Sequence, residues 1–139
     1  MTVIFDLYNV LYPYSEDAEF VVAELRARGF DVAAISSMAP SLVNEIVQKY
    51  GIEKVLSAQE TPYSKRDPVL YNLFLDKFGL KADECLLVDD SLEKLSAAKK
   101  VGMKICWLNV ENEKPPSNEA ADYIISSFKD LLKKINQTF

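Results

Sequence analysis

The sequence of 139 residues contains no histidine. This absence excludes catalytic triads built on histidine, a histidine general base and most zinc sites. Any chemistry must therefore use carboxylates, lysine, hydroxyl groups or a hard metal ion that prefers oxygen ligands. Cysteine is also scarce. Cys85 and Cys106 both lie in apolar stretches, which indicates buried, reduced thiols and not a disulfide framework.

Basic residues are also fewer than acidic residues. Lys and Arg total 16 against 21 Asp and Glu, for a net charge of −5, which argues against a nucleic-acid partner. No apolar run approaches the ~18 residues of a membrane-spanning helix, and the first residues lack the basic segment of a secretory signal. We therefore expect a cytoplasmic protein with no membrane partner. The length and the 49% hydrophobic content predict one domain, residues 1–139.

Short apolar segments alternate with amphipathic ones along the chain, which predicts an α/β fold. The apolar segments are continuous in hydrophobicity, as is typical of strands covered on both faces. Such alternation predicts right-handed crossovers and a single Rossmann-like, three-layer domain with a mainly parallel sheet. The predicted strands are 2–6, 31–36, 54–57, 85–89, 103–108 and 122–126, and the predicted helices are 16–28, 41–50, 68–78, 91–101 and one from 127 onward.

Polar side chains follow three of these strands. Asp6 comes after the first strand, Ser36 and Ser37 end the second, and an acidic pair at 89–90 ends the fourth, while Lys65 lies in a loop before the third helix. Each residue alone is more often a turn former, a helix cap or a solvated lysine. Because the carboxyl ends of parallel strands meet at one crevice, we expect the set to converge there.

In type and order these residues resemble the motifs of the haloacid dehalogenase (HAD) superfamily. The first motif of that family is Asp-x-Asp after the first strand, and Asp6 matches its first position. The second is a Ser or Thr that ends the next strand, matched by Ser36. A lysine segment and an acidic pair before a helix form the third and fourth motifs, and they match residues 64–80 and 86–103. The resemblance covers most of residues 2–108 and implies a HAD-like domain.

The resemblance implies a catalytic role for each matching residue. Asp6 would be the nucleophile that forms an aspartyl-phosphate, and Lys65 would neutralise Asp6 and the transferring group. The Ser36 hydroxyl would orient a phosphoryl oxygen. Ser37 and Asn9, which adjoin these motifs in sequence, are predicted to contact substrate.

The same resemblance implies a bound Mg²⁺ ion. Its predicted ligands are Asp6, the backbone carbonyl of Tyr8, and Asp89 and Asp90. Without a cation, three clustered carboxylates would raise one another's pKa.

Position 8 departs from the family pattern, because the second Asp of the first motif is replaced by Tyr8. In the family's phosphatases that Asp protonates the leaving group and then activates water, work that is worth about 10²–10⁴ in rate. A phenol is a poor base at neutral pH. We therefore count Tyr8 among the catalytic positions and expect slow or selective turnover.

Three interpretations stay open. The chain is a phosphohydrolase or phosphotransferase selective for acyl or aryl phosphates, a catalytically impaired protein that binds metal or phosphate, or a 2-haloacid dehalogenase-like hydrolase. The dehalogenases of the family share Asp-x-Tyr, but they carry a helical cap, and the 30 residues between Asp6 and Ser36 leave no room for one. Without a cap the expected substrate is a phosphorylated small molecule or macromolecule, or a second subunit covers the site in a homo-oligomer.

Overall fold

Six parallel strands form one sheet in the computed structural model, which describes residues 1–138. In chain order the elements are β1 Thr2–Phe5, α1 Glu16–Ala27, β2 Asp31–Ser36, α2 Pro40–Gln48, β3 Lys54–Ser57, α3 Pro68–Phe78, β4 Cys85–Asp89, α4 Leu92–Lys100, β5 Lys104–Leu108, β6 Tyr123–Ile125 and α5 Phe128–Thr138. Single 3₁₀ turns lie at Ala58–Glu60 and Ala82–Glu84. The α/β prediction and its six strands are confirmed, with element ends that differ from prediction by at most two residues.

The strand order is β3-β2-β1-β4-β5-β6, with parallel pairing throughout these described strands. The chain first builds outward from β1 through β2 to β3 and then returns to start the other half at β4. The order therefore reverses between β1 and β4. In open α/β sheets the ligand crevice lies at this reversal, outside the carboxyl ends of the strands.

Helices cover both faces of the sheet and create two apolar cores. One core joins α1, α2 and α5 to the side chains of Val3 and Phe5, while the other joins α3 and α4 to Ile4. Successive residues of β1 thus point to opposite faces, as the pleat of a strand requires. Burial on both faces explains why the strands read as continuous apolar runs and confirms the three-layer, Rossmann-like prediction.

Local signals set the element ends. Asp67 caps α3 by accepting a hydrogen bond from the Val69 amide, Pro68 opens the helix, and Gly79 ends it at φ +63°. The predicted helix 68–78 therefore agrees with the structure. The predicted helix 41–50 instead ends at Gln48, because the chain tightens into a turn that Gly51 completes at φ +66°.

The segments between the motif residues are short. One turn and α1 separate Asp6 from β2, and α2, β3 and a 3₁₀ turn separate Ser36 from Lys65. Within residues 1–138 no cap domain is inserted at either place. A helix long and apolar enough to cross a membrane does not occur in the described part of the chain.

Candidate active site

Three carboxylates meet at the carboxyl ends of β1 and β4. Asp6, Asp89 and Asp90 each place one oxygen within 4.8 Å of the others. The two strands are neighbours with Phe5 opposite Val88, and the Asp6 amide extends the ladder by donating to the Val88 carbonyl at 3.0 Å. The sequence prediction that the acidic pair lies beside the first aspartate therefore agrees with the structure.

Lys65 lies between two of these carboxylates. Its Nζ donates to Oδ1 of Asp6 at 2.7 Å and to Oδ2 of Asp89 at 2.8 Å, and its side chain has no solvent exposure. Burial by itself would lower the pKa of Lys65, but the adjacent carboxylates of Asp89 and Asp6 outweigh it and raise the pKa above the ordinary value. Lys65 is therefore a permanent cation at the centre of the site.

The loop that presents Lys65 is fixed by a buried phenol. The Tyr71 hydroxyl, on the first turns of α3, donates to the Lys65 carbonyl at 2.8 Å, and Tyr71 is 1% exposed. The Asp67 amide closes the loop on the Ser64 carbonyl at 3.0 Å. Hydrogen bonds thus hold Lys65 at both its backbone carbonyl and its ammonium group, which fixes the position of the charge.

Burial dominates the electrostatics of Asp6. The residue is 2% exposed, and burial raises the pKa of its carboxyl to about 6 against the opposing effect of Lys65. The neighbouring Asp89 raises it further, whereas the half-buried Lys94 at the start of α4 lowers it. Burial thus outweighs the nearby ammonium groups and disfavours the ionised form of Asp6, and a bound cation would favour that form.

Asp90 is held through its backbone and its neighbours. The Trp107 indole donates to the Asp90 carbonyl at 3.2 Å, and the Ser91 amide donates to Oδ1 of Asp89 at 3.0 Å. Burial, followed by Asp89, raises the pKa of Asp90. Ser91 also caps α4 by accepting from the Lys94 amide, so the acidic pair is fixed to a helix start.

The donor set fits magnesium. Carboxylate oxygens are the hard ligands this ion prefers, and three of them, from Asp6, Asp89 and Asp90, already converge. Lys65 contacts Oδ1 of Asp6, so Oδ2 of the same carboxylate faces no competing ammonium. The roles of these residues, and of the Tyr8 carbonyl, as ligands stay predictions.

Tyr8 lies at the surface. Its side chain is 58% exposed, and its ring stacks on that of Tyr12 with centroids 6.5 Å apart. Three backbone hydrogen bonds close the loop between them, including Asn9 to the Tyr12 carbonyl at 2.8 Å. Asn9 adopts φ +62°, a left-handed conformation that asparagine tolerates better than most residues. The catalytic role of Tyr8 stays a prediction.

The two predicted serines follow β2, the other neighbour of β1. Ser36 is fully buried, and its hydroxyl accepts the Met38 amide at 3.0 Å while keeping its proton for donation. Ser37 is exposed, and its carbonyl accepts a hydrogen bond from the side-chain Nε2 of Gln59 at 3.0 Å. Their contacts with substrate, like that of Asn9, stay predictions.

A cavity of about 450 Å³ adjoins the carboxylates on the β5 side. Its lining residues are Asn9, Asp90, Trp107, Leu108, Asn109, Val110, Glu111 and Glu113. The sequence predicts that the loop 109–120 could reach the crevice, but it did not single out Trp107 or Asn109, because both resemble ordinary core or turn residues. The position of Asn109, directly after a strand at the crevice edge, is the signal that could have found it. Lys94 and Tyr71 gave no such signal.

Comparison with known proteins decides the family. A family model described as a haloacid dehalogenase-like hydrolase matches residues 12–102, more than half of the chain. The chain belongs to this family. The match includes Ser36, Lys65 and the acidic pair of this HAD-like chain, but it begins after Asp6 and Tyr8 and so does not bear on the tyrosine.

Named relatives include both phosphatases and dehalogenases. A phosphoglycolate phosphatase of Vibrio parahaemolyticus is 30% identical over 131 residues, covering 90% of this chain and 56% of the relative. An (S)-2-haloacid dehalogenase of Pseudomonas putida is 26% identical over 111 residues, covering 77% and 48%. The HAD-like chain therefore spans about half the length of the curated relatives it matches.

One solved structure matches over nearly its whole length. The crystal structure of an uncharacterized protein from Listeria monocytogenes serotype 4b superimposes with a TM-score of 0.76 at 16% identity, covering 99% of this chain and 97% of that one. At this identity the likeness shows the fold alone. A solved protein of similar length therefore shares this fold.

Proposed function

We propose that this protein is a magnesium-dependent phosphohydrolase or phosphotransferase that acts through an aspartyl-phosphate on Asp6. The observation that carries the proposal is the buried Lys65 bridging Asp6 and Asp89, with Asp90 completing the carboxylate cluster. A lysine without solvent exposure between two carboxylates is a costly arrangement, because each charge has lost its hydration. The relatives named phosphoglycolate phosphatase support the same chemistry.

The ligands for magnesium would be Asp6, Asp89 and Asp90, with the Tyr8 carbonyl as a fourth candidate. When bound, the ion would screen the phosphoryl oxygens from the carboxylate that must approach them. Lys65 keeps Asp6 ionised and oriented and adds a fixed positive charge where negative charge develops. The Ser36 hydroxyl is the proposed donor to a phosphoryl oxygen.

Two displacements complete the reaction. In the first, a carboxylate oxygen of Asp6 bonds to phosphorus while the bond from phosphorus to the leaving oxygen breaks, and the leaving group departs with the electron pair. In the second, a water oxygen bonds to phosphorus, the bond to Asp6 breaks and the carboxylate is restored. The proton of that water passes to solvent, and inorganic phosphate is released. An alcohol in place of water would make the same site a phosphotransferase.

Tyr8 determines which substrates suit this site. The Tyr8 residue is 58% exposed with its ring stacked on Tyr12, and we propose that its phenol does not replace the carboxyl group that protonates the leaving oxygen. Acyl and aryl phosphates need no such proton, because their leaving groups are stable as anions. Alkyl phosphates do need it, and we expect them to react at least about a hundredfold more slowly.

The test compares acetyl phosphate and 4-nitrophenyl phosphate with glycerol 1-phosphate, each with magnesium chloride. We expect turnover of the first two, and a loss of at least about a thousandfold in Asp6→Asn. Asp76→Asn removes an exposed carboxylate of α3 and serves as the matched control. Equal rates for the alkyl and aryl esters, or activity that survives Asp6→Asn, would reject the mechanism.

Two other functions have their own supporting observation. The surface position of Tyr8 favours a catalytically impaired protein that binds metal or phosphate, and magnesium binding without any turnover would select it. Binding is measured by the fluorescence of Trp107, the one tryptophan of the chain, whose indole contacts Asp90. The dehalogenase relative and the Asp-x-Tyr pattern favour a dehalogenase, and chloride release from 2-chloropropionate without magnesium would select that activity.

A further inference from the structure

The cavity on the β5 side continues directly from the proposed reaction centre. Asp90, which directly follows Asp89, and Asn9, which lies three residues after Asp6, line the cavity, and its other lining residues come from the segment 107–113, the wall of the cavity. A volume of about 450 Å³ falls within the range of small-molecule sites. The group from which a phosphoryl group is transferred to Asp6 would therefore have this solvent-open cavity available on the side of Asp90.

The charges around this space are divided by position. Lys65 and Lys94 both act on Asp6, so positive charge lies on the side where the phosphoryl group binds. The wall carries Glu111 and Glu113 as its charged groups, and among the described lining residues there is no lysine or arginine. A substrate with an anionic phosphate at one end and a neutral or cationic group at the other matches this division.

The wall has a defined structure on its inner side. Trp107 is 4% exposed and is paired with Asp89 across the sheet, with its indole on the Asp90 carbonyl. The Asn109 side chain donates to the Glu113 carbonyl at 2.9 Å and accepts from the Glu113 amide at 2.9 Å. Glu113 is thus held at its backbone by two hydrogen bonds to a residue that is 7% exposed. The acidic wall is built into the cavity and is not a free loop.

We propose that this cavity binds the leaving group and that Glu111 and Glu113 select leaving groups whose substituents, apart from the departing oxygen, are neutral or cationic over those that bear an additional carboxylate. The proposal rests on the phosphohydrolase function proposed above. It separates this chain from the relatives named for phosphoglycolate and for 2-haloacids, since both compounds carry a carboxylate. The substrate class is a phosphate ester or anhydride whose leaving group carries, apart from the departing oxygen, either no charge or an ammonium group.

The expected size of the selection follows from Coulomb attraction at a partly hydrated surface. Glu111 and Glu113 are exposed, so water screens them and each contributes modestly. Together they should favour a cationic over an anionic leaving group by about five- to tenfold. Added sodium chloride at high concentration should reduce this preference, because exposed charges are screened by salt.

The experiment uses three phenyl phosphates substituted at the 3-position with an aminomethyl, hydroxymethyl or carboxymethyl group. We expect kcat/KM to fall in that order. The double variant Glu111→Gln with Glu113→Gln should reduce the ratio of kcat/KM for the cationic ester to kcat/KM for the anionic ester by about five- to tenfold. Because this ratio is compared between the variant and the wild-type protein, differences in the intrinsic reactivity of the esters cancel. The matched control is Asp83→Asn with Glu84→Gln, which changes net charge equally at the opposite, amino end of β4.

The outcomes separate this inference from the proposed function. If all three esters turn over but the Glu111 and Glu113 changes leave the ratio of cationic to anionic kcat/KM intact, the inference is overturned while the function stands. The same holds if the control variant alters that ratio equally. No turnover of any ester with magnesium overturns the function. The inference is then judged by titrating the three esters and following Trp107 fluorescence to measure their affinities. Equal affinities would overturn it. Affinities that fall from the cationic to the anionic ester, with this order lost only in the double variant, would support it.

Discussion

Two neighbouring regions at the carboxyl ends of the strands are built differently. The first is the proposed reaction centre at the ends of β1 and β4, and the second is the cavity wall at the end of β5. At the first, Lys65, Asp6 and Asp89 are buried and compensate one another's charge, and the half-buried Asp90 lies beside them. At the second, an exposed wall is attached through Asn109. Groups that react must be fixed and desolvated, so each constrains the others. The side chains of the wall that are proposed to select substrate are exposed to water, so a substitution of one has little effect on the position or charge of the others.

The largest effect is expected from Lys65→Met. Removing the ammonium leaves Asp6 and Asp89 buried without a counter-charge, which should lower the free energy of unfolding by about 3–5 kcal/mol and abolish turnover. Magnesium chloride should restore part of that stability in the variant, since the ion would replace the missing charge. Urea unfolding with and without the ion measures both.

Lys54→Met is the control for that comparison. Lys54 pairs with Asp31 at the surface, where both side chains are more than a third exposed. An exposed pair contributes about 1 kcal/mol or less. Equal losses in the two variants would show that burial of the Lys65 cluster has no special energetic consequence.

The next effect is expected at Tyr8, which lies in the loop between β1 and α1. Tyr8→Asp supplies a carboxyl at the position of the family's acid–base residue and should raise turnover of glycerol 1-phosphate by about ten- to a hundredfold. Acetyl phosphate should gain less than about twofold, because its leaving group needs no proton.

Tyr12→Asp serves as the control, because it also disrupts the stacked pair. An equal gain in that variant, or for both substrates, would argue against proton transfer. No gain at all would favour the impaired, binding function.

A smaller effect is expected from Asn109→Ala. Loss of the two hydrogen bonds to Glu113 should lower the free energy of unfolding by about 1–2 kcal/mol. Amide hydrogen exchange should quicken in residues 109–113 and stay slow in β1 and β4. Asn44→Ala on the exposed face of α2 should change neither quantity. Faster exchange throughout β4 would mean that the wall and the reaction centre are one unit.

The smallest effect concerns Cys85 and Cys106, whose burial should protect both thiols from alkylation. Burial raises the pKa of the Cys85 thiol to about 11 and that of Cys106 to about 12, so almost no thiolate is present at pH 8. Iodoacetamide should leave both unmodified in the native protein, react faster as the pH rises, and modify both in urea. Mass spectrometry measures this. Rapid native labelling of Cys106 alone would show that β5 opens independently of β4.

Much of the fold was predictable because its signals are local. Strand 31–36 and helix 68–78 agree with the structure residue for residue, since apolar continuity and the Asp67, Pro68 and Gly79 signals act over a few residues. The helix predicted to end at 50 ends at Gln48, because a tight turn and a helix have the same apolar spacing.

The proximity of Asp6 to the acidic pair was predictable for a different reason. Parallel strands bring their carboxyl ends to one edge, so residues directly after two strands share a crevice whatever their distance in sequence. Which oxygen Lys65 contacts was not predictable, because that depends on the Tyr71 phenol fixing the loop from α3. The position of the Tyr8 ring was likewise decided by its stack on Tyr12.

By itself, the sequence determined the alternating strands and helices, the carboxylate chemistry forced by the lack of histidine, and the residues that match the family motifs. These depend on residue type and short spacing. Only the tertiary structure decided that Lys65 is fully buried between Asp6 and Asp89, that Tyr8 lies at the surface, and that Glu113 is held in the wall of a cavity. Burial and through-space charge arise from segments far apart in the chain, and no local pattern encodes them.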